Sequence, residues 1–231
     1  MIPKKIHYCW FGGKPLPKNA IKCINSWKKF LHDYEIVEWN ESNFDVNICD
    51  YTKEAYKAKK FAFVSDFARF WILYHHGGIY FDVDVEVIKP MEHIIHDGPF
   101  MAAERVFNIQ HNIYPMVNAG LGLAVYAYHP IFKEIIQYYY ETPFLLEDGT
   151  INTVTVVKHV TDILKNKGLK PTSELQKVSD ITIYPPDYFC PKSYDDNKLL
   201  ITQNTVSIHH FDGSWIGLKE RFIMFFKRLL K

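Results

Sequence analysis

Apolar residues recur along the chain with two periods, one helical and one of two residues, and they predict interleaved helices and strands. Ile2 to Trp10 reads as a first strand, ended by the segment FGGKPLP, whose glycines and prolines break any regular element. From Asn19 to Leu31, Ala20, Ile21, Ile24, Trp27, Phe30 and Leu31 keep a helical spacing with Asn19 as the cap. Tyr34 to Trp39 is a short strand, and strand, helix, strand in that order points to an α/β layout. One long helical stretch then runs from about Thr52 to His76 and stops at Gly77-Gly78. Ile79 to Ile88 alternates as a single strand. Ile79, Phe81, Val83, Val85 and Val87 share one face, and Tyr80, Asp82, Asp84 and Glu86 share the other.

Beyond Pro90 the pattern predicts strands near Phe100 to Glu104 and Val117 to Ala124, then helices over Pro130 to Tyr140 and Thr153 to Asn166. Short strands follow at Ile181 to Pro185 and Thr205 to His210. No repeat, low-complexity tract or linker interrupts this order, so one domain is expected, and 231 residues suit one sizeable core. Val106 to Phe132 carries no Asp, Glu, Lys or Arg, yet its asparagines, histidines and prolines make it a poor lipid-facing helix. A net charge of +1 supplies no global field for nucleic acid, which is excluded as the expected partner. Cys9, Cys23, Cys49 and Cys190 show no C-x-x-C spacing, which argues against a thiolate zinc site and predicts free thiols in a reducing cytosol. The start, MIPKKIHYCW, has no long apolar run behind its lysines, so no secretion signal is expected.

The strongest chemical signal is Asp82-Val83-Asp84. Two carboxylates on one face of a half-buried strand repel, and a hard divalent cation with oxygen ligands neutralises them and can hold a diphosphate. A solvated acidic edge strand, extended by Glu86, explains the same alternation. The preceding helix carries Asp66 and Arg69 amid Phe61, Phe63, Val64, Phe67, Phe70 and Trp71. Residues three apart share a helical face, so an ion pair accounts for their spacing; charges in so aromatic a helix must be paired or used. Near the C-terminus His209, His210, Asp212, Ser214 and Trp215 cluster around Gly213 and offer a further metal ligand and an aromatic cover, or a structural histidine pair.

Taken together, IPKKIHYCWFGG, FAFVSDFARFWILYHHGGIYFDVDV and IHHFDGSW resemble the family-32 glycosyltransferases, a group with a DXD-containing sugar-binding region that includes capsule and lipopolysaccharide enzymes. The resemblance implies a GT-A-type fold, Rossmann-like with a mixed central sheet; a single such domain is expected over residues 1–214, with residues 215–231 read from their own composition as a basic amphipathic helix. It implies a retaining hexosyltransferase that takes its sugar from a nucleotide-sugar donor, UDP favoured, and passes it to a saccharide acceptor in surface polysaccharide biosynthesis. By the same resemblance, Asp82 and Asp84 bind Mn²⁺ or Mg²⁺, and Asp82 also reaches the donor. Asp66 and Arg69 hold hydroxyls of the transferred sugar, and Trp10 stacks on the base. His210 is the expected metal-ligand histidine, with His209 its rival. Ser214 and Trp215 lie by the diphosphate, and Asn118, in VNAGLG, lies close to the reacting sugar. Two other classes account for parts of the pattern. One is a carbohydrate- or metal-binding module without turnover. The other is a metal-dependent phosphoesterase, which needs more ligands for two metals and leaves Trp10 and the Asp66/Arg69 pair unused.

The tail WIGLKERFIMFFKRLLK, as a helix, has a basic side and a broad apolar one, the make-up of a membrane-surface segment; a terminal helix packed on the core has the same composition. The expected location is the cytoplasm, at the inner face of the membrane, where a lipid-linked acceptor would be met. Cosedimentation with anionic liposomes should be strong for the full chain and lost on removal of residues 215–231; equal binding by both would exclude the tail as the anchor.

Overall fold

In the computed structural model, which describes residues 1–104, 114–193 and 198–213, β1 (Lys5–Cys9) pairs in parallel with β2 (Glu35–Trp39) on one side and β3 (Gly78–Tyr80) on the other. Helix α1 (Lys18–Phe30) makes the first crossover. The sheet continues through antiparallel β6 (Leu123–Val125), then β5 (Phe100–Ala102), β8 (Ile181–Tyr184) and β7 (Gln176–Val178), giving seven strands in the order β2-β1-β3-β6-β5-β8-β7. A separate two-stranded ribbon joins β4 (Val85–Val87) to β9 (Ser207–His209). The sheet is mixed and the domain is α/β, as the periodicity predicts.

Period-two alternation sends side chains to two apolar layers. Cys9, Tyr80, Met101, Leu123, Val125, Ile181 and Ile183 face helices α2 (Asp50–Lys57), α3 (Phe61–His76), α5 (Pro130–Glu141) and α6 (Val156–Asn166). Ile6, Tyr8, Ile79, Phe81, Phe100, Ala102 and Tyr184 face α1 and the short helices α4 (Glu92–His96) and α7 (Pro186–Phe189). The abundant aromatics mainly fill these layers: Trp27, Phe67, Phe70, Phe81, Phe100, Phe132 and Phe189 are fully buried.

Three expectations are corrected. The helix expected over 52–76 is two helices. Lys59 takes φ +57°, while Lys60 N–H donates to Ala55 O and Lys59 N–H to Tyr56 O, which closes α2 in the manner of a Schellman turn. Lysine stands where glycine would have signalled the stop. The strand expected over 79–88 is broken: after β3 the chain turns, with Val85 N–H donating to Asp82 O, and β4 then pairs with β9 instead of the main sheet. Of the strand expected over 117–124 only its end is laddered, Val117 forming an isolated bridge to Ala103 before a turn. The sequence pattern also misses β7, α4 and α7, which are all short. The tail 215–231 lies outside the described residues, and among these no helix is long and apolar enough to cross a membrane.

Two buried histidines belong to this scaffold. The Trp39 indole N–H donates to His7 Nδ1 at 3.0 Å while His7 Nε2 meets Gly77 O at 3.0 Å, which requires a neutral ring. His159 stacks on Tyr138 with centroids 4.4 Å apart. Burial lowers both to about 4 from the usual 6.5. The unfolded chain takes up these protons below pH 6.5 and the folded one does not. Stability is therefore full above 6.5 and falls as pH drops towards 4, by about 3 kcal/mol per histidine. In urea titrations at pH 7 and pH 5, His159→Phe, which preserves the stack, should remove about 2 kcal/mol of the stability lost between them; an unchanged difference would refute this.

Candidate active site

Parallel β1 and β3 end side by side, so Trp10 and Asp82, each just past its strand, lie at the same carboxyl edge of the sheet, where open α/β sheets bind ligands. Trp10 is half-buried, its N–H bonded to Trp39 O and its indole N–H to Lys14 O. This leaves one aromatic ring braced at the edge.

Helix α3 supplies the charged floor. Burying Val64, Phe67, Ala68, Phe70, Ile72 and Leu73 carries Arg69 inside with them, to 3% exposure. Its guanidinium lies 2.7 Å from Asp66 Oδ1 and 3.4 Å from Asp82 Oδ1, with Tyr80 beneath it at 4.9 Å from the ring centre. The Tyr80 hydroxyl also donates to Asp82 Oδ1, at 3.1 Å. Burial opposes the charge on Arg69, but Asp82 and Asp66 outweigh it and raise its affinity for the proton. Burial pushes the Asp66 carboxyl up to about 6 against the pull of Arg69. Arg69 thus bridges the helix carboxylate and the first aspartate of the D-x-D pair, and its buried Nη1 has no hydrogen-bond partner among the described residues.

The second aspartate is held differently. Asp84 lies in the turn that leaves the main sheet, and the β4–β9 ribbon sets Val85 opposite His209. His209 Nε2 is 3.2 Å from Asp84 Oδ1 and 4.0 Å from Asp82 Oδ2. Burial alone would push Asp84 up, but the His209 charge and hydrogen bond bring it down to about 2. The same contacts raise His209 against its own burial. Ligand atoms of Asp82, Asp84 and His209 lie within 4.8 Å of one another. Two carboxylates and an imidazole form a donor set suited to Mn²⁺, more than to oxygen-seeking Mg²⁺.

His210 takes another place from the one expected. Adjacent residues at a strand end face opposite ways. Its Nε2 meets Glu86 Oε2 at 2.8 Å, and Lys22 Nζ donates to the same oxygen at 2.9 Å. His210 N–H donates to Asp84 O, and Asp212 N–H to Asp84 Oδ2 at 3.0 Å, so this segment secures the Asp84 turn. Among the two histidines, geometry groups His209 with the aspartates. Ser214 and Trp215 lie outside the described residues.

The third wall is the turn after Val117. Asn118 Oδ1 accepts from Gly120 N at 2.7 Å, and its Nδ2 donates to Glu104 Oε2 at 2.9 Å. Asp82 N–H donates to Gly120 O. A Cβ on Gly120 would sit 2.1 Å from Asp82 Oδ2 and 3.2 Å from Asn118 Oδ1, so the two side chains border one point in space. Tyr80, Glu104 and Gly120 escaped the sequence reading. Only the glycines of NAGLG hinted at close approach, and Glu104 gave no sequence signal.

Residues 17–101 match a family described as "Glycosyltransferase sugar-binding region containing DXD motif". Over 97% of its length the chain is 24% identical to an uncharacterized glycosyltransferase of Acanthamoeba polyphaga mimivirus, covering 91% of that protein. Over 43% of its length it is 29% identical to inositol phosphoceramide mannosyltransferase 1 of Schizosaccharomyces pombe, and there the match spans only 33% of the relative. Among solved structures, a glycosyltransferase involved in glycosylating the major capsid of PBCV-1 superposes with a TM-score of 0.51 at 15% identity, covering 96% of this chain and 98% of that one. That likeness extends over the whole α/β domain and accords with the GT-A-type fold expected.

The contact at Gly120 leads to a direct test. Gly120→Ala should displace the Asp82 carboxylate and weaken Mn²⁺ binding by about 10–100-fold, as loss of support behind a metal ligand typically does. Calorimetric titration with unchanged affinity would show that Asp82 does not depend on this packing.

Proposed function

We propose that this chain is a glycosyltransferase of the DXD-motif, family-32 type, and that it transfers a hexose or N-acetylhexosamine from a UDP-sugar to a saccharide acceptor, with retention of configuration, in surface polysaccharide synthesis. The observation that carries the reading is the convergence of Asp82, Asp84 and His209 at the carboxyl edge, backed by Arg69. Two carboxylates and one imidazole form one such cluster among the described residues, which suits a single-cation transferase better than a two-metal phosphoesterase.

In the proposed complex Asp82, Asp84 and His209 hold Mn²⁺, or Mg²⁺ in its place. When bound, that cation neutralises charge developing on the departing diphosphate. Trp10 stacks on the base. Asp66 and Arg69 fix hydroxyls of the transferred sugar, and Arg69 pairs with Asp82. Asn118 faces the reacting sugar, and Ser214 and Trp215 are assigned to the diphosphate on motif grounds. The acceptor oxygen bonds to the anomeric carbon on the face from which the diphosphate departs. Its proton passes to the leaving phosphate oxygen, and no protein nucleophile is used. A lipid-linked acceptor at the cytoplasmic face of the membrane, met through residues 215–231, completes the proposal.

A panel of UDP- and GDP-sugars tests it. A UDP-sugar at about 100 times its dissociation constant should stabilise the fold by about 2.7 kcal/mol, seen as a melting shift that requires Mn²⁺. Asp82→Asn and Asp84→Asn should each cut metal-stimulated transfer by about 10³-fold, equivalent to several kcal/mol of transition-state stabilisation. His209→Ala should cost more than His210→Ala. Metal-independent transfer undiminished in both aspartate variants would overturn the proposal.

A further inference from the structure

Glu104 has no part in the roles assigned so far, yet it stands at the site. It follows β5 directly, its N–H donates to Met116 O, and Ala103 bridges to Val117. Asn118 N–H donates to Ala102 O, so the two segments are locked in register and Glu104 is brought alongside Asn118. Its carboxylate accepts from Asn118, whose amide and the Asp82 carboxylate border one point, which places it on the ligand side of the domain.

The contact is directional. An asparagine amide offers an acceptor at one end and two N–H donors at the other, and the two orientations are sterically alike. Here Oδ1 takes the Gly120 N–H and Nδ2 donates to Glu104 Oε2, so both ends are fixed. A carboxylate only accepts, and a charge-assisted bond is stronger than a neutral one, so Glu104 holds the amide in this one orientation. The second Nδ2 hydrogen has no partner among the described residues. The amide itself stands beside Gly120, where its Oδ1 and the Asp82 carboxylate border one point.

We propose that Glu104 is a positioning residue for the transfer reaction: by fixing the Asn118 amide, it aims an N–H donor at an oxygen of the bound sugar. This rests on the glycosyltransferase reading above and adds to it a residue that no motif contains.

A double-mutant cycle on the full chain tests it, with the best UDP-sugar of the panel and Mn²⁺. No donor hydrolysis or transfer by the unmodified protein would fail the parent reading and leave the cycle without a basis. With an active parent, Glu104→Ala and Asn118→Ala should each lower kcat by about 10–100-fold, with the KM for donor changed less than threefold. Because both remove one interaction, the double variant should be no slower than Asn118→Ala alone. Glu104→Gln, whose side-chain oxygen can still accept the amide bond, should recover at least tenfold over Glu104→Ala. Multiplicative losses in the double variant, full activity of Glu104→Ala, or Glu104→Gln as slow as Glu104→Ala would each overturn the proposal. Melting temperatures identify a misfolded variant; if Glu104→Ala is one, Glu104→Leu, which likewise offers no acceptor, takes its place in the cycle.

Discussion

The site depends on the pairing of Arg69 with Asp82 in a place that is only partly open to water. An isolated carboxylate there would turn outward, because removing charge from water costs more than packing returns. Arg69 prevents this at 3.4 Å, and the Tyr80 hydroxyl donates to the same oxygen. Arg69 can do so because it is itself caged by Asp66, Ser65 O and the Tyr80 ring. Three carboxyl groups, Asp66, Asp82 and Asp84, thus gather around one guanidinium and one imidazole. That surplus of negative charge suits a divalent cation and the diphosphate it would carry.

Topology places these groups together. The main sheet runs parallel through β2, β1 and β3 and turns antiparallel at β6, and the site lies at that change of direction. There the chain abandons the sheet after Tyr80 and re-forms as a ribbon with β9. Trp27 anchors the new strand through its indole N–H to Val85 O at 2.7 Å. The ribbon imports His209 from more than a hundred residues away in sequence, and the turn between the two sheets carries both aspartates.

The α/β order, the principal helices and most of the apolar layers were legible from residue spacing, because burial on a helix or strand face leaves a periodic trace. The D-x-D pair, Asp66 and Arg69 were legible for a related reason: charge inside an aromatic helix or an alternating run conflicts with its surroundings. Three things left no such trace. Lys59 ends α2 in a conformation usually signalled by glycine. The run from Ile79 to Ile88 alternates like one strand although it serves two sheets, since alternation records burial and not hydrogen-bond partners. Glu104 sits after an apolar strand like any solvated acid.

By itself, then, the sequence determined which residues would be buried and which charges would need a reason to be there, since both follow from local chemistry. Only the tertiary structure decided that His209 rather than His210 joins the aspartates, that a turn brings Asp82 and Asp84 together, and that Glu104 meets the Asn118 amide. Each of those is a matter of direction between segments far apart in the chain, and direction is set by strand register and packing, which no local pattern of residues encodes.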